Sequence, residues 1–213
     1  MNRILLSINW IMAFIAIYLF VFIIFCFKFL KNTKSLTKKL KENSANPNEV
    51  ANLSREYIIK NPLSPFNSSL RLIWLFSLII LQKKDDVRRC VEKIRAIDIY
   101  PDSINDFTVV IFLLKELGYQ QEYMCLKEKS ERAYKPCQSG LCKIIMQPDV
   151  DVSNFSNALN EDVNDSIKAI VAYYRGLNFI KNSNEQEANQ QFQMAVRLFP
   201  IMQDILIKKG YVK

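Results

Sequence analysis

The feature that most constrains this chain is an uncharged run near its start, ILLSINWIMAFIAIYLFVFIIFCF, which covers 24 residues from Ile4 to Phe27. An α-helix rises about 1.5 Å per residue, so a helix of this length matches a bilayer hydrocarbon core about 30 Å thick. We therefore predict one transmembrane helix over residues 4–30. A cleaved signal peptide is the alternative. The apolar part of a signal peptide is only about 7 to 15 residues long and is followed by small residues at the cleavage site, whereas this run is longer and ends in FCFKFL.

A group of lysines follows the uncharged run, and it accounts for most of the net charge of +8. Residues 42–213 carry 22 Lys plus Arg against 21 Asp plus Glu, so the basic character is juxtamembrane and does not indicate a nucleic-acid partner. The positive-inside rule predicts a single-pass protein of the inner or cell membrane with a cytoplasmic C-terminal domain. A periplasmic domain is the alternative. The lysines predicted to face anionic lipid are Lys31, Lys34, Lys38 and Lys39. The alternative is that these lysines only set the topology of the span.

Beyond the span, the sequence predicts an all-α fold. A basic helix and linker occupy residues 31–47, and NSANPN ends that helix. Residues 48–213 then show helical spacing of apolar residues with no alternating strand pattern. The stretch LRLIWLFSLIIL at 70–81 is too short to cross a membrane and predicts a buried helix. Further helices are predicted from Asp85 to just before Pro101, and over 105–117, 120–134, 153–164, 166–181, 185–198 and 201–209, with Asp165 as an N-cap.

Four prolines, Pro65, Pro101, Pro136 and Pro200, follow helix pairs at spacings of 36, 35 and 64 residues. A period near 34 residues is typical of helical solenoids. Residues 169–200 resemble a tetratricopeptide repeat at Gly176 and Phe179 on the first helix, at Ala188, Phe192 and Ala195 on the second, and at Pro200. Ala172 and Arg175 depart from the family pattern. The resemblance implies a tetratricopeptide-like α-solenoid in which small residues let two helices approach closely.

The sequence argues against an enzyme. Histidine is absent, the four glycines are far apart, and no phosphate-binding loop or nucleophile elbow is present. Cys137 and Cys142 lie in a polar loop without a histidine or a second cysteine pair, which disfavours zinc, and in a cytoplasmic domain they would be free thiols. Helix caps account for the paired carboxylates. We predict no catalytic residue, no metal and no cofactor.

A membrane-anchored scaffold that binds a protein partner is the function that these features favour. The resemblance to the tetratricopeptide family implies that the inner face of the last repeat carries Ile170, Tyr173, Leu177 and Lys181. Of these, Tyr173 and Lys181 are the better candidates for contact with a partner. For Ile170 and Leu177, packing between repeats is the alternative. An apolar span followed by REYIIKNPLSPFNSSLRLIWLFSLIILQKKDDVRRCVEKIRAIDIYP, within residues 5–135, resembles the helical C-terminal tail of bacterial O-oligosaccharyltransferases of the pilin-glycosylation and O-antigen ligase type. One alternative is therefore an accessory or detached tail of such an enzyme system. The other is a structural subunit of a membrane complex, although the span offers few polar groups.

Overall fold

The computed structural model describes residues 31–43, 45–62, 64, 66–96, 99, 104–132 and 164–212. These residues form nine helices and no strand, which confirms the prediction of an all-α protein. The chain divides into two compact units, Met1–Asn46 and Pro47–Lys213. Among the described helices, none combines the length and the apolar character needed to cross a membrane. The predicted span at residues 4–30 lies outside the described residues, as do Cys137, Cys142 and all but the last residue of the helix predicted at 153–164.

The first unit contains helix α1, residues 31–42. The helices of the second unit are α2 (Pro47–Lys60), α3 (Asn67–Ile80), α4 (Lys84–Lys93), α5 (Ile104–Glu116), α6 (Gln120–Glu131), α7 (Asp165–Lys181), α8 (Glu185–Leu198) and α9 (Met202–Lys208). Proline opens α2, where its fixed φ suits the first helical position. Gly118 ends the turn after α5 with φ +83°, a left-handed conformation that favours glycine.

Several predicted helix ends differ from the structure by a few residues, and two of the differences have a clear physical reason. Helix α4 was expected to continue to the residue before Pro101, yet it ends at Lys93, and Ile94 is extended with ψ 128°. The Lys129 ammonium of α6 donates to the carbonyl oxygens of Val91 and Glu92 at 2.7 and 3.1 Å, so a distant side chain satisfies this helix end. At α7 the N-cap is Asn164 and not Asp165, because the Asn164 side chain accepts from the Ile167 N–H at 2.9 Å.

Helix α5 lies at the centre of the second unit. It packs against α3, α6 and α7, and residues 107–114 are all buried. The sequence FTVVIFLL explains this burial, because a helix that is apolar on every face needs neighbours on every face. Helices α3 and α4, α5 and α6, and α7 and α8 pack as sequential pairs, and α4 also contacts α6.

The C-terminal helices return toward the earlier ones. Phe199, which follows α8, stacks on Phe76 of α3 with ring centroids 6.2 Å apart. Phe112 of α5 meets Tyr173 and Tyr174 of α7 edge to face at 5.4 and 5.9 Å. The C-terminal part of the chain therefore contacts both α3 and α5.

Candidate partner-binding surface

The structure corrects the predicted partner-binding face of α7. Tyr173 is 1% exposed and Ile170 is fully buried, because this face of α7 packs against α5. Leu177 is half-buried and packs against the same core. Lys181, at the last turn of α7, is the one member of the predicted set that is exposed. The alternative interpretation, packing, therefore applies to Ile170, Tyr173 and Leu177 in this structure.

Tyr173 is part of a buried polar network instead of a contact surface. Its hydroxyl donates to Glu116 Oε2 at 3.1 Å, and the Lys209 ammonium contacts the same oxygen at 2.9 Å. Glu116 is 6% exposed, so its carboxylate depends on these two partners for compensation. Burial, followed by the negative charge and the hydrogen bond of Glu116, raises the pKa of Tyr173 well above its ordinary value. The network fixes the C-terminal residues to the end of α5.

A second lysine strengthens the same connection. The Lys208 ammonium donates to the Leu117 carbonyl oxygen at 2.5 Å, just beyond the last turn of α5. A positive charge at a helix C-terminus also interacts favourably with the helix dipole. Lys208 and Lys209 thus hold the end of α9 against the end of α5 through two independent contacts.

Helix α1 separates its lysines from its apolar residues. Lys31, Lys34, Lys38 and Lys39 are all exposed. At 100° per residue, Lys31, Lys34 and Lys38 share one face, whereas Leu36, which is 8% exposed, lies on the other side. Lys38 pairs with Glu42 at 3.7 Å, and both side chains are exposed, so this pair contributes little to stability.

The sequence did not reveal an open groove that lies between α8, α9 and residues 211–212. Its volume is about 560 Å³. Its lining is mixed, with five apolar or aromatic and four polar residues, and three of the polar ones repeat every four positions along α8. We call it the C-terminal groove; it is lined by Asn189, Phe192, Gln193, Val196, Arg197, Gln203, Leu206, Tyr211 and Val212. Tyr211 stacks on Phe192 with ring centroids 5.5 Å apart. The polar repeat on α8 is a signal that the sequence contained.

A second cleft, of about 420 Å³, lies beside the turns that follow α3 and α5. Its charged lining residues have both signs, namely Lys84, Glu122, Asp204 and Lys208. Lys208 already donates to Leu117 there. Within the described ranges, no three His, Cys, Asp or Glu side chains come close enough to hold a metal ion.

Comparison with known proteins gives no family for this chain: no protein-family model, curated protein or solved structure matches it.

Proposed function

We propose that this protein is a membrane-anchored helical scaffold that binds a protein partner and holds it at the cytoplasmic face of an inner or cell membrane. The observation that supports this most is the order of two features: 24 uncharged residues, followed at once by a helix whose Lys31, Lys34, Lys38 and Lys39 are exposed. Lysines beside a span attract anionic lipid by about 1 kcal/mol each and favour the cytoplasmic side.

We also propose that α3 to α8 form a tetratricopeptide-like solenoid. Sequential helices pack as pairs, first helices contact first helices (α3 with α5, and α5 with α7), and second helices α4 and α6 contact each other. The small residues of the resemblance lie at close contacts, since Gly176, Ala188 and Ala195 are all buried. The stacking of Phe199 on Phe76 departs from a regular solenoid, in which each repeat contacts only its neighbours.

The partner-binding surface of this scaffold differs from the inner face of a regular repeat array. A solenoid binds through the concave surface made by its first helices. Here α5 is buried on every face and α7 covers it, so the first-helix face is occupied by the chain itself. The exposed surfaces that remain for a partner include Lys181 and the C-terminal groove.

Membrane fractionation tests the anchor. The full-length chain should stay in the membrane pellet after extraction with alkaline carbonate, which removes peripheral proteins. The variant Ile15→Asp with Leu19→Asp should leave the pellet, because each aspartate near the centre of a span costs about 2.5 to 3.5 kcal/mol on insertion. Ile15→Val with Leu19→Ile is the matched control. Release of the unmodified chain by carbonate would contradict the anchor.

Affinity capture in mild detergent tests the scaffold. A partner retained by both the full-length chain and residues 42–213 supports binding by the helical domain. A partner retained by the full-length chain alone would favour the structural-subunit alternative, in which assembly depends on the span.

A further inference from the structure

The polar edge of the C-terminal groove has a regular spacing. Asn189, Gln193 and Arg197 lie on the exposed side of α8, four residues apart, and all three line the groove. With a rise of about 1.5 Å per residue, successive members are about 6 Å apart along the helix axis. Within the described part of the chain, none of the three side chains has a hydrogen-bond or ion-pair partner.

An extended peptide has nearly the same repeat. Its backbone N–H and C=O groups return to one edge every two residues, which is about 6.6 to 6.8 Å. A side-chain amide carries both a donor and an acceptor, so Asn189 and Gln193 can each bind one peptide unit of that edge. Alternate side chains of the same peptide then point toward the accessible apolar part of the lining, which includes Val196, Tyr211 and Val212.

The charge of the groove selects the peptide. Among the described residues that line it, Arg197 is the single charged side chain and there is no carboxylate. Arg197 lies at the end of the row that begins with Asn189 and Gln193, and its guanidinium has no partner among the described residues. Such a group favours a carboxylate, which it can bind through two parallel hydrogen bonds. A peptide with an acidic side chain close to its apolar side chain therefore fits the groove, whereas a peptide with a basic side chain there does not.

We propose that the C-terminal groove binds an extended segment of a partner protein in which an apolar side chain is followed by an acidic residue. The apolar side chain of the peptide enters the groove beside Val196. Asn189 and Gln193 bind the peptide backbone, and Arg197 binds the acidic side chain. This inference deepens the proposed scaffold function and rests on it for the existence of a protein partner. The volume of about 560 Å³ lies within the range of about 300 to 1,000 Å³ seen for ligand pockets and accommodates several side chains.

Fluorescence anisotropy with three labelled peptides tests the proposal. The full-length chain is placed in phosphatidylcholine nanodiscs, which carry no net charge. The peptides are ten residues long, share the same leucine and phenylalanine positions, and carry glutamate, glutamine or lysine at the remaining positions. We expect the glutamate peptide to bind at least ten-fold more tightly than the lysine peptide, with the glutamine peptide between them.

Variants of the groove locate the site. Arg197→Glu should reverse the order of the glutamate and lysine peptides, and Gln193→Leu should weaken binding of all three. The matched control is Arg55→Glu, an exposed arginine on α2, which should leave the order unchanged. Thermal melting curves that superimpose on that of the unmodified chain show that each variant is folded.

Several results would overturn the proposal. Equal affinity for the three peptides, or the same reversal with Arg55→Glu, would remove the charge selection by Arg197. A hydrocarbon-stapled helical form of the glutamate peptide that binds more tightly than the linear form would contradict the extended conformation. A chain that carbonate extracts from membranes but that still prefers glutamate contradicts the anchor and leaves the groove in place, so the two failures are distinguishable.

Discussion

Two neighbouring tyrosines on α7 have opposite hydrogen-bonding situations. The Tyr173 hydroxyl donates to Glu116, whereas the buried Tyr174 hydroxyl has no partner among the described residues. We expect Tyr173→Phe to lower the free energy of unfolding by about 1.5 to 3 kcal/mol, since it removes a hydrogen bond to a charged group. Tyr174→Phe should be neutral or stabilising by up to about 1 kcal/mol, because an unsatisfied hydroxyl leaves the core. Urea unfolding of the two variants compares them, and equal losses would contradict the network.

The same tyrosines predict a sensitivity to alkali. Burial and the negative charge of Glu116 raise the pKa of both hydroxyls above the ordinary value of about 10. A raised pKa in the folded state means that stability is fully present below pH 10 and is lost as the pH rises above it, because the unfolded tyrosines ionise first. The urea midpoint should therefore fall above pH 10. The variant Tyr173→Phe with Tyr174→Phe should show a shallower fall than the unmodified chain.

Cys90 and Cys125 should differ strongly in reactivity. Cys90 is 1% exposed and its thiol donates to the Arg71 carbonyl oxygen at 3.8 Å. Burial raises the pKa of Cys90 to about 12, so almost no thiolate is present near neutral pH. Cys125 is half-buried. We expect iodoacetamide to modify Cys125 at least ten-fold faster than Cys90 in the folded protein, measured by mass spectrometry, and at a similar rate in urea. Fast modification of folded Cys90 would show that α4 opens readily.

The sequence identified the residues of α7 but not their environment. Helical spacing put Ile170, Tyr173 and Leu177 on one face, and they do share a face. Whether a partner or the chain itself covers that face depends on where α5 lies, which is about 60 residues earlier in the sequence. Glu116 and Lys209, which complete the network, are 93 residues apart and have no local pattern that links them. Long-range contacts of this kind decide exposure.

The hairpin of α7 and α8 depends on a glycine. A Cβ atom at Gly176 would lie 2.6 Å from Phe192 Cδ1, which is closer than side chains allow. We expect Gly176→Ala to destabilise the protein by about 1 to 3 kcal/mol through overpacking, despite the better helix propensity of alanine. Phe192→Leu in the same chain should recover part of that loss, and a double-mutant cycle measures the coupling. Additive effects would mean that the two residues do not meet.

Helix existence was easier to predict than helix ends. The apolar periodicity of α3, α5, α7 and α8 is local, and the structure has a helix at each predicted place. The end of α4 is not local, because Lys129 of α6 supplies the ammonium that caps it. At α7 the sequence offers Asn164 and Asp165 side by side, and both residue types are good N-caps. The backbone conformation decides between them, because the N-cap is the residue that directly precedes the first helical one, and here that residue is Asn164.

The sequence predicted the all-α class and the sequential helix pairs. It did not predict that the last pair returns to α3, because the stacking of Phe199 on Phe76 joins residues 123 positions apart. Nor did it predict the C-terminal groove, although its polar edge, Asn189, Gln193 and Arg197, was visible as an i, i+4, i+8 repeat. A repeat on one helix becomes a site only when another element supplies the opposite wall.

The predicted membrane orientation depends on the charge on both sides of the predicted span. In this sequence Arg3 precedes the predicted span, whereas Lys28 and the lysines of α1 follow it. Positive charges near a span stay in the cytoplasm, so protease added to intact spheroplasts should leave a C-terminal epitope tag uncut. Replacing Lys31, Lys34, Lys38 and Lys39 by glutamine should increase the digested fraction, while replacing four lysines far from the span, Lys84, Lys93, Lys127 and Lys181, should not. Digestion of the unmodified chain would place the helical domain on the outer side, and the acidic partner segment would then have to be sought there.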